Sequence, residues 1–284
     1  MVTTPWKRLT TGLTRIAFGA LERVAPGLGS ILVTRLWMTP GRGSLPALGI
    51  DSGRRYTVPV NGSTVAVEEW GDGPAVFLLH GWGRARRDFD AFIPSLVRAG
   101  HRVVALEASA HGDSAPGPSG GRRSTLNEFI DALTAVIDHA GPAYGIIAHS
   151  AGGSSAARAV LDGLATERLV LIAPMGNFLD YTAQLRPALG FGSRIDAGFH
   201  RLLEQRAGRP LTDFHIAAAV AGRADLPSLM VVHDQTDRRN PYSDGLEIAE
   251  AWPGAQLRPT VGLGHIRILR DPAVVETVAA FMKD

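Results

Sequence analysis

From Tyr56 the chain alternates apolar and polar positions with a period of two: Tyr56-Thr57-Val58-Pro59-Val60, then Asn61-Gly62, then Ser63-Thr64-Val65-Ala66-Val67-Glu68. Asn-Gly between alternating runs predicts a β-hairpin, because both central residues of a type I′ turn need positive φ. Short apolar runs follow at Ala75–Leu79, Arg102–Leu106, 143–148, 168–173, 228–233 and Gln256–Thr260. Strands buried on both faces of a parallel sheet read this way. Between most of them the period lengthens to that of a helix. The clearest helix begins near Ser124, where Leu126, Phe129, Ile130, Leu133, Val136 and Ile137 share one face and Thr125 and Glu128 stand at capping-box spacing. Gly141-Pro142 stops it. An antiparallel start followed by alternating strands and helices predicts an α/β sheet that is mostly parallel, with helices on both faces.

Two segments break the alternation. Residues 175–226 are mainly helical and too long for a simple connection, so they are expected to form a helical cap, or lid, over the C-terminal edge of the sheet. Phe178, Tyr181, Leu185, Leu189, Phe191 and Phe199 are expected to wall a pocket, with Phe178, Tyr181 and Phe191 as substrate-binding residues. Residues 1–55 place Trp6, Leu9, Leu13, Ile16, Leu21 and Val24 at helical intervals, and a second apolar stretch runs over 28–38 after Pro26-Gly27. This extension is expected to pack on the main domain, with peripheral contact to an anionic membrane surface through residues 5–38 and a processed leader as the rival expectations. The body of the protein is then 56–174 plus 227–284.

Composition changes this picture in three ways. At 284 residues the chain fits one domain with an insertion. It has no cysteine, which excludes disulfides, thiolate metal sites and a cysteine nucleophile. The formal charge of +2 conceals a basic head: residues 1–56 hold eight Lys/Arg against Glu22 and Asp51, a charge of +6, which leaves −4 for the remainder. The apolar stretch after Lys7 and Arg8 is cut by Arg15, so a secretory signal is not expected and the location is expected to be cytoplasmic. Arg84, Arg86, Arg87, Arg238, Arg239 and Arg267 fall in loops. They are taken as solvated surface charge, an anionic substrate being the alternative. Without aromatic interleaving or a binding motif, nucleic-acid binding is not expected.

The chemistry centres on Ser150, in Ala148-His149-Ser150-Ala151-Gly152-Gly153 between an apolar strand and a helix-compatible run. Serine at the apex of such a turn is a nucleophile elbow, which needs small neighbours because the turn is strained and closely packed. Ala148 stands where the usual pattern has its first glycine. His80-Gly81-Trp82-Gly83 follows another strand, so the backbone N–H groups of Trp82 and Ala151 are expected to form an oxyanion hole. Asp237 and His265 each follow a later strand, giving the chain order Ser, Asp, His. Asp234 competes with Asp237 as the acid and is read as a turn residue. His80, His111 and His149 are read as packing or loop-bracing side chains. The histidines fall in separate loops without metal-ligand spacing, so no metal is expected.

In these motifs the chain, over about residues 56–282, resembles the α/β-hydrolase family. Residues 107–114, Glu107-Ala108-Ser109-Ala110-His111-Gly112-Asp113-Ser114, are similar to that family's D-x-x-G-H-G-x-S loop, with departures at Glu107 and Ala110. Gly264-His265 and Arg270-Asp271-Pro272 are similar to its closing segment. The resemblance implies an eight-stranded sheet, a helical cap after strand six and hydrolysis of ester-like bonds without a cofactor. It also keeps Asp180 open as the acid, since some relatives supply it after strand six. The expected activity is that of a serine hydrolase on a small-molecule acyl substrate, with Ser150, Asp237 and His265 as catalytic residues. An acyltransferase, a cofactor-free haloperoxidase-like enzyme on the same residues, and a non-catalytic ligand-binding protein are the alternatives.

Overall fold

The computed structural model describes residues 12–283. The hairpin forms as its turn chemistry demands: β1 (Arg54–Val60) pairs antiparallel with β2 (Ser63–Trp70), and Asn61 and Gly62 take φ of 48° and 77°. β3 (Ala75–Leu79), β4 (Arg102–Leu106), β5 (Ala143–His149), β6 (Thr166–Ile172), β7 (Ser228–Asp234) and β8 (Gln256–Thr260) complete one eight-stranded sheet. Its order is β1-β2-β4-β3-β5-β6-β7-β8. Pairing is antiparallel for β1–β2 and β2–β4 and parallel for every other neighbour pair.

The central strands are buried on both faces, which is why they read as unbroken apolar runs. Phe77 and Leu79 point to one core layer, Val76 and Leu78 to the other. α1 (Gly12–Val24) and α2 (Pro26–Met38) precede the sheet, and α3 (Ile93–Arg98) lies between β3 and β4. α4 (Leu126–Ala140) and α5 (Ala151–Leu161) cover the first face through residues such as Phe129, Leu133 and Ala156. α3 covers the other face through Leu96. Thr125 caps α4 by accepting the Glu128 N–H at 3.2 Å, but only half of the expected capping box forms. The Glu128 carboxylate turns away to accept from the Ser119 N–H at 2.9 Å.

Between β6 and β7 run α6 (Phe178–Ala183), α7 (Leu185–Leu189), α8 (Ser193–Ala207) and α9 (Ile216–Val220). The last three helices are α10 (Tyr242–Ala251), α11 (Gly264–Arg267) and α12 (Pro272–Lys283), of which α12 joins α3 through Val275 and Val278.

α2 lies tightly along α8. A Cβ on Gly29 would sit 2.3 Å from Ile195 Cδ1 and one on Gly198 would sit 2.2 Å from Ser30 Oγ, so a side chain at either position would have to displace its neighbour. Gly192, at the N-cap of α8, has no side chain to satisfy the first-turn amides. Glu22 of α1 does so instead, accepting from the amides of Gly192, Arg194 and Ile195 at 2.9–3.0 Å. The described part of the extension, α1 and α2, therefore packs on the 175–226 segment, while Trp6 and Leu9 lie outside the described residues. Its outer face leaves Leu13, Ile16, Val24 and Leu28 exposed, and no helix among the described residues is long and apolar enough to cross a membrane.

Candidate active site

Ser150 stands between β5 and α5 with φ 55° and ψ −124°, a left-handed conformation that costs energy for any side-chain-bearing residue. Two glycines let the chain close around it. A Cβ on Gly152 would meet the carbonyl oxygen of His80 at 2.2 Å, and one on Gly81 would meet His149 Nδ1 at 2.9 Å and Ser150 Cβ at 3.0 Å. Ala148, the departure from the usual elbow, keeps its methyl fully buried in the core on the α4–α5 side.

His265 reaches Ser150 from the loop after β8. Its Nε2 lies 3.0 Å from Ser150 Oγ, and its Nδ1 donates to Asp237 Oδ2 at 2.7 Å. Asp237 Oδ1 accepts from the backbone N–H groups of Arg239 and Asn240. Burial alone would raise the Asp237 pKa. The His233 ring, 3.6 Å away, and the hydrogen bond from His265 outweigh that effect and hold the carboxyl well below the usual range. Burial pulls the His265 imidazole below its ordinary value of 6.5, only partly offset by Asp237. At neutral pH this leaves an uncharged imidazole against the serine hydroxyl.

The rival acids stand elsewhere. Asp234 accepts from the Thr236 N–H at 3.0 Å, Thr236 Oγ1 at 2.6 Å, Thr260 Oγ1 at 2.8 Å and the Leu263 N–H at 2.9 Å. It ties the loop of Asp237 to the loop of His265. Asp180 lies on α6 and has no hydrogen bond to His265 among the described residues.

His149 donates from Nε2 to the backbone carbonyl of His265 at 2.9 Å. His80 Nε2 accepts from the Ala108 N–H, and its Nδ1 donates to Gly81 O. His111 Nδ1 donates to Ser109 O. All three rings are buried, and burial depresses each pKa, that of His111 to about 4. Among the described residues, neither the Trp82 nor the Ala151 N–H has a protein acceptor, and both residues border the space beside Ser150. Among the described residues, no group of three or more His, Asp or Glu side chains is placed to hold a metal ion.

Ser150 and His265 open into a cavity of about 1090 Å³. Phe178 and Tyr181 line it as expected, and the Tyr181 hydroxyl donates to Asp244. Phe191 does not. It is buried against Phe18 of α1, with ring centroids 6.1 Å apart, because α7 turns that part of the chain toward the extension. Leu185, Leu189 and Phe199 are likewise core residues outside the cavity wall. Their place is taken by Leu36, Trp37 and Met38 of α2 and by Leu203, Leu211 and Phe214. Asn240 was also not anticipated: buried, it donates from Nδ2 to Ala173 O at 2.8 Å, with Ser150 Oγ 3.5 Å away.

The expectation of solvated arginines fails at two positions. Arg84 and Arg86 are buried, with 4% and 8% of their surface exposed. Arg86 meets Glu68 at 2.9 Å, Glu107 at 2.6 Å and Asp113 at 3.1 Å, so it accounts for the glutamate at 107. The second departure in that loop, Ala110, takes φ 63°, a conformation that favours glycine.

Comparison with known proteins agrees with this fold. The profile of the alpha/beta hydrolase family matches residues 76–278. A non-heme chloroperoxidase of Streptomyces lividans is 26% identical over 271 residues, covering 78% of this chain and 97% of that one. A bifunctional esterase/perhydrolase of Acinetobacter calcoaceticus is 30% identical over 105 residues, covering 36% of this chain and 37% of its own. Among solved structures, a bromoperoxidase from Bacillus anthracis superposes with a TM-score of 0.62 at 17% identity, covering 81% of this chain and 100% of that one.

Proposed function

This chain belongs to the alpha/beta hydrolase family, and from that premise we propose that it is a serine hydrolase cleaving a carboxylic ester, thioester or lactone through an acyl-enzyme on Ser150. The observation that carries this reading is the chain of hydrogen bonds from Ser150 Oγ through His265 to Asp237, opening into a largely apolar cavity. His265 Nε2 takes the serine proton as Oγ attacks the acyl carbon, and Asp237 keeps the proton on Nδ1 so that Nε2 is the basic nitrogen. The amides of Trp82 and Ala151 stabilise the oxyanion. His265 then protonates the leaving group, and the same imidazole activates the water that releases the acid.

The test is labelling with a fluorophosphonate probe and turnover of p-nitrophenyl esters, beside Ser150→Ala and His265→Ala. A folded wild-type protein that is neither labelled nor active overturns the reading. The haloperoxidase and perhydrolase names among the relatives favour a second reading, in which hydrogen peroxide replaces water and the acyl-enzyme yields a peracid. Bromide oxidation in the presence of peroxide and a short carboxylate, lost in Ser150→Ala, tests it.

A further inference from the structure

Four arginines, Arg84, Arg238, Arg239 and Arg267, line the cavity that holds Ser150 and His265, and no Asp or Glu lines it. Arg86 is matched by three carboxylates and needs nothing more. Arg84, more deeply buried, has Asp88 alone, at 2.5 Å from its Nε, and Asp88 already accepts the Leu45 N–H at 2.6 Å. Nη2 of Arg84 is buried with no hydrogen-bond partner among the described residues. A buried charged donor left unmatched is costly, and such groups in a cavity wall mark the place of a ligand.

We infer that Arg84 and Arg239 form an anion subsite beside Ser150, and that the substrate carries a carboxylate in addition to its scissile acyl bond. This rests on the serine hydrolase reading for the bond cleaved, but the binding of the anion does not. The two guanidinium groups approach from different loops, Arg84 after β3 and Arg239 after β7. Burial and the charge of Arg84 pull the Arg239 pKa below its ordinary value, with Asp237 offsetting only part of that, so the two guanidinium groups repel one another. A carboxylate in the cavity beside both groups relieves that repulsion and adds negative charge next to the incompletely matched Arg84, and planar guanidinium groups suit carboxylate geometry. The opposite wall, with Trp37, Phe178 and Phe214, takes the apolar part of the molecule.

The carboxylate belongs either to the acyl part or to the leaving group, and paired esters separate the two. One arm compares p-nitrophenyl hydrogen glutarate with the p-nitrophenyl ester of monomethyl glutarate. The other compares 4-carboxyphenyl butyrate with its methyl ester. In at least one arm the acid is expected to exceed its neutral partner in kcat/KM by about tenfold or more, with that ratio falling toward unity in Arg239→Gln and in Arg84→Met. Arg84→Met strands Asp88, so Arg239→Gln, in an exposed loop, carries the test where the first variant does not fold. Ratios at or below unity in both arms, or a ratio unchanged by both substitutions, overturn the subsite. If no ester is turned over and Ser150 is not labelled, the hydrolase reading has failed on its own. Calorimetric titration of glutarate and benzoate into Ser150→Ala then decides: saturable binding weakened at least tenfold by a second Arg239→Gln substitution supports the subsite, and absence of binding or unchanged affinity rejects it.

Discussion

Trp37 of α2 meets Phe178 of α6 edge-on, with ring centroids 5.6 Å apart, and both side chains line the cavity at Ser150. A segment that precedes the sheet thus builds the cavity wall together with a segment inserted after β6. Trp37→Ala is expected to lower kcat/KM about tenfold on p-nitrophenyl hexanoate while changing acetate little, because only the longer chain touches the indole. Phe191→Ala is the contrast. Its ring is core between α7 and α1, so the substitution is expected to cost about 3 kcal/mol in urea unfolding and to leave the ratio of hexanoate to acetate turnover unchanged. A shifted ratio in Phe191→Ala, or an unshifted one in Trp37→Ala, contradicts this wall.

The proton inventory at His265 sets the pH profile. Burial depresses its pKa below 6.5, and the base acts only when neutral. Initial rates at low substrate are therefore expected to rise through a midpoint below 6.5 and to be flat by pH 7.5. Asp237→Asn removes the carboxylate that sustains the imidazolium and fixes its tautomer. It is expected to reduce kcat by about 10⁴ and to move the midpoint further down. An acidic limb centred well above 6.5 in the wild type assigns the base elsewhere.

Much of this site is legible in the chain, for a physical reason. The elbow and the Asn-Gly hairpin are local, and Ser150, Asp237 and His265 each sit where a parallel strand ends, so sheet topology alone gathers them. What escaped reading depends on contacts across long stretches of chain. Phe178 and Phe191 are equally apolar at helical spacing, and only the packing of α1 and α2 on α6–α8 assigns one to the cavity and the other to the core. Arg86 looks like loop charge until Glu68 and Glu107 are brought against it from distant parts of the chain, and Arg84 does so until the local turn sets Asp88, four residues on, against it. Asn240 is one polar residue in a polar loop, and no spacing signals that its Nδ2 lies 3.5 Å from Ser150 Oγ.

Three buried imidazoles make the fold acid-sensitive. In the unfolded chain histidine titrates near 6.5, whereas folded His111 does so at about 4, and His80 and His149 lie well below 6.5. As pH falls through 6.5 the unfolded chain takes up protons that the folded chain refuses, so stability is lost on acidification. For His111 the loss runs at up to about 1.4 kcal/mol per pH unit and levels off below its folded pKa. Urea unfolding at pH 7.5, 6.0 and 5.0 measures the slope. His111→Asn, whatever it costs at pH 7.5, is expected to flatten the slope by about one proton, and an unchanged slope contradicts the assignment.

Ser150 and Ala110 both hold left-handed backbone, at φ 55° and 63°, but for different returns. At Ser150 the strain presents the hydroxyl to His265. At Ala110 no side-chain hydrogen bond is gained, and Gly112 in the same loop already stands where a Cβ would strike the Glu107 carboxylate at 2.1 Å. Left-handed backbone costs a non-glycine residue about 1–2 kcal/mol, and the greater freedom of glycine in the unfolded chain returns about half of that. Ala110→Gly is therefore expected to stabilise by up to about 1 kcal/mol, or about 2–4 °C in Tm, with activity retained. Ser150→Gly should give a similar gain with activity abolished. Gly152→Ala runs the other way: its methyl would lie 2.2 Å from the His80 carbonyl oxygen, backbone that cannot rotate aside, so a loss of about 1–3 kcal/mol and a displaced Trp82 loop are expected. Scanning calorimetry of the three variants with p-nitrophenyl ester turnover separates the cases. A lowered Tm in both Ala110→Gly and Ser150→Gly would show that the strain is offset by contacts of the side chains themselves.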